Sequence, residues 1–316
     1  MLFLSKKIIV ALGGNAIKRP EDKGMIEEQL DAVSRTCDEL VKMIKEGHKI
    51  VITHGNGPQV GALLIQNEEA RAKVPQMPLD VCGAESQAFI GYMIQQTLRN
   101  KLEEIGIRKD VATVITQVKV DPDDPAFEKP TKPVGPFYTE RQAEKLRREK
   151  GYVIRRIEEG RYRRVVPSPE PKSIVELGAI QKLVDAGVVV IASGGGGVPV
   201  VESDDRRLQG VEAVIDKDLA SEILAQEIKA NIMLFLTNVR GVAVNYGKPA
   251  QRFLDRMTLD EARSYLAKGE FPAGTMGPKI RAAIRFLESG GEKAVVSSLG
   301  EAFEALNGRA GTTIIG

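Results

Sequence analysis

Short runs of β-branched and aliphatic residues alternate along this chain with longer stretches of three- and four-residue apolar spacing, and glycines stand at many of the junctions. Strands followed by amphipathic helices in that rhythm read as βαβ units, which build a parallel sheet covered by helices. The first run, Ile8 to Leu12, predicts a strand ending in Gly13-Gly14-Asn15. Leu30, Val33, Cys37, Leu40, Val41 and Ile44 then recur at helical spacing until Gly47 supplies a C-terminal stop. Ile50 to Thr53 predicts a second strand, ending in His54-Gly55-Asn56-Gly57-Pro58, with a helix from Val60 to about Ala70 behind it. A long helix over Ala84 to Glu104 and one alternating strand over Val111 to Val120 come next.

Between about Asp121 and Pro171 the pattern changes, and half of the chain's 16 prolines fall there. Thr139 with Gln142 reads as a capping box opening a charged helix that ends near Gly151, and Tyr152–Ile157 with Tyr162–Val166 reads as a hairpin around Glu159-Gly160. The segment is expected to be an inserted lobe with few deeply buried residues. The βα rhythm resumes with a strand over Val188 to Ser193, the run Gly194 to Gly197, a helix opening at Asp216-Lys217-Asp218 and a strand over Ile232–Leu236. A capping box at Thr258 and Glu261, a helix from about Pro278 to Ser289, a strand near Ala294–Ser297 and another over Thr312–Ile315 complete the reading. With 316 residues, the chain exceeds the roughly 250–300 at which one core stops growing, so a single α/β domain spanning 1–316 with the lobe at about 121–171 is expected.

Composition narrows the function by exclusion. Forty-two per cent hydrophobic and 28% charged residues describe a globular chain, and 45 basic against 43 acidic residues leave a net charge of +2, which suggests no nucleic-acid partner. Two cysteines, Cys37 and Cys82, make neither a disulfide framework nor a zinc site and suit a reducing cytosol. No stretch approaches the ~20 apolar residues of a membrane span, and the opening residues lack a secretory pattern, so a cytoplasmic protein is expected. Both histidines, His48 and His54, lie in one short segment, which leaves no dispersed His-based triad.

The chemistry is carried by glycines and lysines. Gly13-Gly14, Gly55-Asn56-Gly57 and Gly194 to Gly197 each follow a strand, and in a parallel sheet those loops converge on one crevice where bare N–H groups attract phosphate. Each glycine loop alone reads more often as a tight turn, and it is their joint occurrence that points to ligand. No P-loop and no dinucleotide fingerprint is present. Phosphoryl transfer needs charge neutralisation and alignment more than covalent help. Lys132 lies between prolines, Lys217 between Asp216 and Asp218 at a helix start, and Lys279 after Gly277-Pro278 at another. A lysine beside a helix N-terminus is unfavourable unless an anion compensates it, which points to ligand phosphate. Asp216 reads either as the carboxylate that holds these lysines in register or as a plain N-cap.

Several segments together are specific to one family: Ala11-Leu12-Gly13-Gly14-Asn15-Ala16, Thr53 to Gly61, Pro130-Thr131-Lys132-Pro133, Gly194 to Pro199, Glu212 to Asp218 and Met276-Gly277-Pro278-Lys279. Through them the chain resembles, from end to end, carbamate kinase of the amino acid kinase superfamily. The resemblance implies a three-layer αβα sandwich with a mainly parallel sheet, a homodimer, and magnesium-dependent, reversible transfer between ATP and carbamate giving ADP and carbamoyl phosphate. It also implies roles. Gly13, Gly14, Asn15, Gly55, Asn56 and Gly57 would hold the carbamate end, with Gly194 and Gly195 facing the phosphoryl group. Lys217 and Lys279 would contact nucleotide phosphates, Lys132 would reach in from the lobe, and Asp216 would organise the lysines. Magnesium would be held through the nucleotide phosphates, and Thr237, Tyr246 and Met276 are candidates to lie near the nucleotide base, although Tyr246 reads equally as core. An acetylglutamate-, aspartate- or UMP-type kinase on the same fold, or a nucleotide sensor without turnover, are the competing readings; the proline-rich lobe with Lys132 and the full lysine set weigh against them.

Overall fold

The inner strands of the central sheet are largely apolar because both of their faces are covered. The structure, a computed structural model, describes residues 5–19, 21–272 and 274–316. Strand β1 (Lys7–Leu12) has every residue after Lys7 buried, and so has β2 (Lys49–His54), which follows helix α1 (Ile26–Lys45). Helices α2 (Gly57–Ala70) and α3 (Leu79–Glu104) lead to β3 (Val111–Thr113) and β4 (Gln117–Val120). The single strand expected over Val111 to Val120 is therefore two, and they belong to different sheets. The break is at Thr116. Its backbone N–H donates to Gln87 Oε1 at 2.8 Å, and its carbonyl accepts both from Gln87 Nε2 at 3.1 Å and from the Val198 N–H at 2.8 Å, so a buried side chain takes the N–H and the carbonyl turns to a different strand.

Strand β5 (Lys132–Tyr138), helix α4 (Glu140–Lys150), β6 (Ile154–Glu158) and β7 (Arg161–Val166) form the proline-rich segment, with an antiparallel sheet in the order β5-β7-β6. Thr139 and Gln142 make the reciprocal cap of α4, and Gly151 ends it at φ 65°, in the left-handed region that favours glycine. After β8 (Pro171–Ile174) and α5 (Leu177–Asp185) come β9 (Val189–Ile191), β10 (Val198–Glu202) and β11 (Leu208–Gly210). Strands β11, β10, β4 and β8 pair in that order in a smaller sheet.

The C-terminal part runs through α6 (Lys217–Glu227), β12 (Ile232–Thr237), β13 (Ala243–Val244), β14 (Arg252–Phe253), β15 (Arg256–Thr258), α7 (Leu259–Ala267) and α8 (Met276–Glu288). It ends with β16 (Lys293–Ser298), α9 (Ala302–Leu306) and β17 (Thr312–Ile315). The main sheet has eight strands in the order β15-β17-β16-β12-β1-β2-β9-β3. It is parallel from β16 to β3, while β17 turns antiparallel to β16 and β15 follows β17.

Alternation along the strands divides the core in two. Ile9, Ala11, Val51, Met233 and Phe235 face α5, α6 and α8, whereas Ile8, Val10, Leu12, Ile50, Ile52, Leu234 and Leu236 face α1, α3 and α9. Three layers, helix on sheet on helix, result. The strand order reverses at β1: its successor β2 lies on one side and β12 on the other, so a crevice opens beyond the C-terminal ends of these strands. Among the described residues, no helix is long and apolar enough to cross a membrane.

Candidate active site

Two adjoining cavities occupy that crevice. The smaller, about 380 Å³, lies beyond β1 and β12 and is lined by Gly13, Gly14, Thr237, Tyr246, Phe271, Thr275 and Met276. The larger, about 720 Å³, lies beyond β2 and is lined by Gly14, Gly55, Asn56, Gly57, Lys132, Gly195 and Asp216. Lys217 and Lys279 border both. These two lysines therefore stand where the cavities meet.

Each loop is placed by a physical constraint. Gly13 donates its N–H to the Leu236 carbonyl at 2.8 Å, and a Cβ there would come within 2.9 Å of the same oxygen. Gly195, Gly196 and Gly197 have φ of 67°, 94° and 86°, conformations that L-residues rarely adopt. A Cβ on Gly194 would collide with the His54 ring, one on Gly195 with the Asn56 amide, and one on Gly196 with the Ile215 carbonyl. This loop is therefore pressed against the β2 loop on one side and the approach to α6 on the other. Gly194 itself lines neither cavity; it is buried as packing against His54 and Gln87. The Asn15 side chain lies outside the described residues.

Helix N-termini add fixed positive ends. Helix α2 opens at Gly57 and α8 at Met276, and neither N-cap residue, Asn56 or Thr275, caps its helix with its side chain. At α8 the Gly277 N–H is taken by the Pro272 carbonyl at 2.9 Å and Pro278 has none, so α2 is the better anion site of the two.

The lysines differ from expectation in one respect. Asp216 was expected to organise Lys217 and Lys279. Its Oδ1 instead accepts from the Asp218 N–H at 3.0 Å as the N-cap of α6, and its Oδ2 lies 3.2 Å from Lys132 Nζ. The carboxylate between the two cavity lysines is Asp218, paired with Lys217 through Oδ1 and with Lys279 at 3.0 Å through Oδ2. The reason is helical register. The N-cap residue sits in extended backbone with its side chain turned onto the first N–H groups, whereas Asp218, two residues on, is inside the helix and projects toward α8.

Residues 6–298 match the amino acid kinase family. The chain belongs to this family. It is 51% identical over 314 residues to the carbamate kinase of Pyrococcus furiosus, covering 99% of this chain and 100% of that one. It is 53% identical over 315 residues to that of Thermococcus kodakarensis, covering 98% and 99%. Among solved structures it is similar to carbamate kinase from Giardia lamblia bound to AMP-PNP, with a TM-score of 0.94 and 44% identity over 100% of this chain and 99% of the other.

In this amino acid kinase the electrostatics of the lysine pair follow from burial. Asp218 is 3% exposed; burial pushes its carboxyl up, but Lys217 and Lys279 together outweigh that, and its pKa ends below the ordinary range. Burial, then repulsion from Lys217, pulls the Lys279 ammonium below its usual value, against the attraction of Asp218. His54, fully buried beneath the glycine loops, is driven down to about 4 by desolvation and is neutral at physiological pH, with Nδ1 3.1 Å from the Gly55 carbonyl. It is a packing element, not a base.

Sequence reasoning did not single out Arg163, Phe271 or the role of Asp218. Arg163 lines the larger cavity from β7 and donates from Nη2 to the Gly135 carbonyl at 2.9 Å. Nothing in its Arg-rich strand marks it out from Arg161 or Arg164. Asp218 stood in the Asp-Lys-Asp triplet, where its signal was present but ambiguous.

Proposed function

We propose that this chain transfers a phosphoryl group reversibly between ATP and carbamate, with the nucleotide in the smaller cavity and carbamate in the larger. The observation that carries the reading is the Lys217–Asp218–Lys279 arrangement at the border between the two. The curated relatives of full length are carbamate kinases, which supports the choice of acceptor. The base would lie among Thr237, Tyr246 and Met276, with Phe271 held from behind by an edge-on contact to Tyr265 at 6.3 Å.

Phosphoryl transfer asks the protein for alignment and charge neutralisation. A carbamate oxygen attacks the terminal phosphorus while the bond to the ADP oxygen breaks, and negative charge spreads over the equatorial oxygens. Lys217 and Lys279 neutralise that charge from the border, and the amides of Gly14 and Gly195 with the α2 N-terminus supply donors that need no reorganisation. Asp218 keeps both lysines aimed without neutralising either fully. Lys132, brought in on β5 and held by Asp216, adds charge from the acceptor side. We infer that residues of about 121–171 act as a lobe over the acceptor end, because Lys132, Gly135 and Arg163 reach the cavity from it.

Among the described residues no group of three or more His, Cys, Asp or Glu is placed to hold a metal. Asp218 is committed to two lysines, so a magnesium ion here would take its ligands chiefly from nucleotide phosphates, where it would offset their charge. We further infer a homodimer formed through α3, where Val81, Phe89 and Tyr92 expose apolar surface along one side, and a cytoplasmic enzyme, in keeping with two unpaired buried cysteines.

The test is a coupled assay of ATP formation from ADP and carbamoyl phosphate with magnesium. Wild type forms ATP, and Lys132→Ala loses most of the activity while retaining nucleotide binding. A folded, nucleotide-binding wild type without activity on carbamoyl phosphate would refute the acceptor.

A further inference from the structure

Asn56 stands at the acceptor end of the larger cavity, yet its side chain leaves α2 uncapped and donates instead from Nδ2 to Ser86 Oγ on α3, at 2.8 Å. Ser86 is fully buried, and its hydroxyl lies 2.6 Å from the Gly83 carbonyl. A carbonyl can only accept, so the one hydroxyl proton of Ser86 is used there. The serine oxygen can then serve Asn56 only as an acceptor, and the amide group facing it must be the NH2. The orientation of an asparagine amide, otherwise ambiguous between nitrogen and oxygen, is thereby set by a chain of donors that starts at a backbone carbonyl. Gly195 covers the other side of the amide so closely that a Cβ would overlap it. Asn56 Oδ1 receives no donor from the described residues and is not shut off from solvent.

We propose that Ser86 is a specificity-determining positioning residue: by fixing Asn56 Oδ1 as an acceptor toward the cavity, it favours a substrate carrying N–H over one carrying a methyl group. The proposal rests on the carbamate reading. Carbamate and acetate have nearly the same shape and differ at one substituent, NH2 against CH3. An oriented acceptor is satisfied by the first and left unpaired by the second, and sites built this way discriminate far better than apolar pockets do. Without the Ser86 hydroxyl the Asn56 amide can turn over and present its NH2, and the preference is lost.

The experiment compares carbamoyl phosphate and acetyl phosphate as phosphoryl donors to ADP in wild type, Ser86→Ala and Ser86→Thr. In both reactions the acyl O–P bond breaks, an ADP oxygen forms the new bond to phosphorus, and carbamate or acetate leaves, so only the acyl substituent differs. Ser86→Ala is expected to lower kcat/KM for carbamoyl phosphate about tenfold or more while acetyl phosphate stays within about twofold. Ser86→Thr, which retains the hydroxyl, keeps the wild-type ratio. Equal losses on both donors, or an unchanged ratio in Ser86→Ala, overturn the proposal. Should Ser86→Ala not fold, Asn56→Ala decides, since it removes the acceptor and must collapse the same ratio. Wild-type failure on carbamoyl phosphate is visible before any variant is made and removes the acceptor reading with the proposal.

Discussion

Replacing Asp218 with asparagine keeps its shape and removes the one charge that holds two lysines. Asp218 and Lys279 are 3% and 7% exposed, so the lost partner is not replaced by water. Removing one member of a buried ion pair typically costs about 3–5 kcal/mol, because it strands the other charge. Here two ammonium groups remain, and Lys279 already has its pKa lowered by burial and by Lys217. Asp218→Asn should therefore lose about 3–5 kcal/mol in chemical denaturation without ligand at pH 7. Saturating ATP should stabilise the variant more than the wild type, since phosphate then supplies the missing anion. The pH dependence has a definite sign. The folded-state pKa of Asp218 is depressed, so its contribution is complete above the ordinary value of 3.8 and vanishes as pH falls through the folded value, and the deficit of the variant shrinks on acidification. Turnover should fall about 10²-fold, as expected when charge-stabilising groups shift by about 1 Å. A deficit under about 1 kcal/mol, or equal stabilisation of both proteins by ATP, would refute the view that Asp218 stands where ligand phosphate charge is felt.

Two further buried groups make opposed pH predictions. Glu222 on α6 is fully buried with Oε2 unpartnered, and burial raises its carboxyl from 4.5 to about 7; a raised acid costs stability as pH rises through that window. His54, lowered from 6.5 to about 4, costs stability as pH falls through its own. Each has a slope of at most about 1.4 kcal/mol per pH unit, so they offset one another between about pH 4.5 and 6.5. Glu222→Gln should remove one slope, leaving a protein more stable than wild type at pH 8 and losing stability on acidification below about 6.5; parallel wild-type and variant curves would show Glu222 to be ionised in the folded state. Burial pushes the Cys37 and Cys82 thiols up to about 12 and about 11, so neither should react with a thiol reagent in the native protein at pH 8, and both should react once it is unfolded. Fast native labelling would show a local opening of α1 or α3.

What was legible in the sequence, and what was not, divides along the range of the interactions. Ile8 to Leu12 and Ile232 to Leu236 could be read as strands because a two-sided sheet requires unbroken apolar runs. The Thr139 and Thr258 caps could be read because every partner lies within one helical turn. The break between β3 and β4 could not, because Thr116 within it is held by Gln87, 29 positions away on α3, and alternation continues through the break as if nothing happened. The same holds at the site. Glycines reveal loops, and the order of strands reveals that those loops converge, but a lysine beside a helix start does not disclose which carboxylate it will meet. Asp216 and Asp218 are the same residue type on either side of Lys217. Only the exact onset of α6 makes the first a cap and the second a buried counter-ion, and its second partner, Lys279, is 61 positions further along the chain. Element boundaries are the least certain part of a sequence reading. At this site a shift of two positions decides which aspartate faces the phosphate lysines, and hence which substitution tests the mechanism.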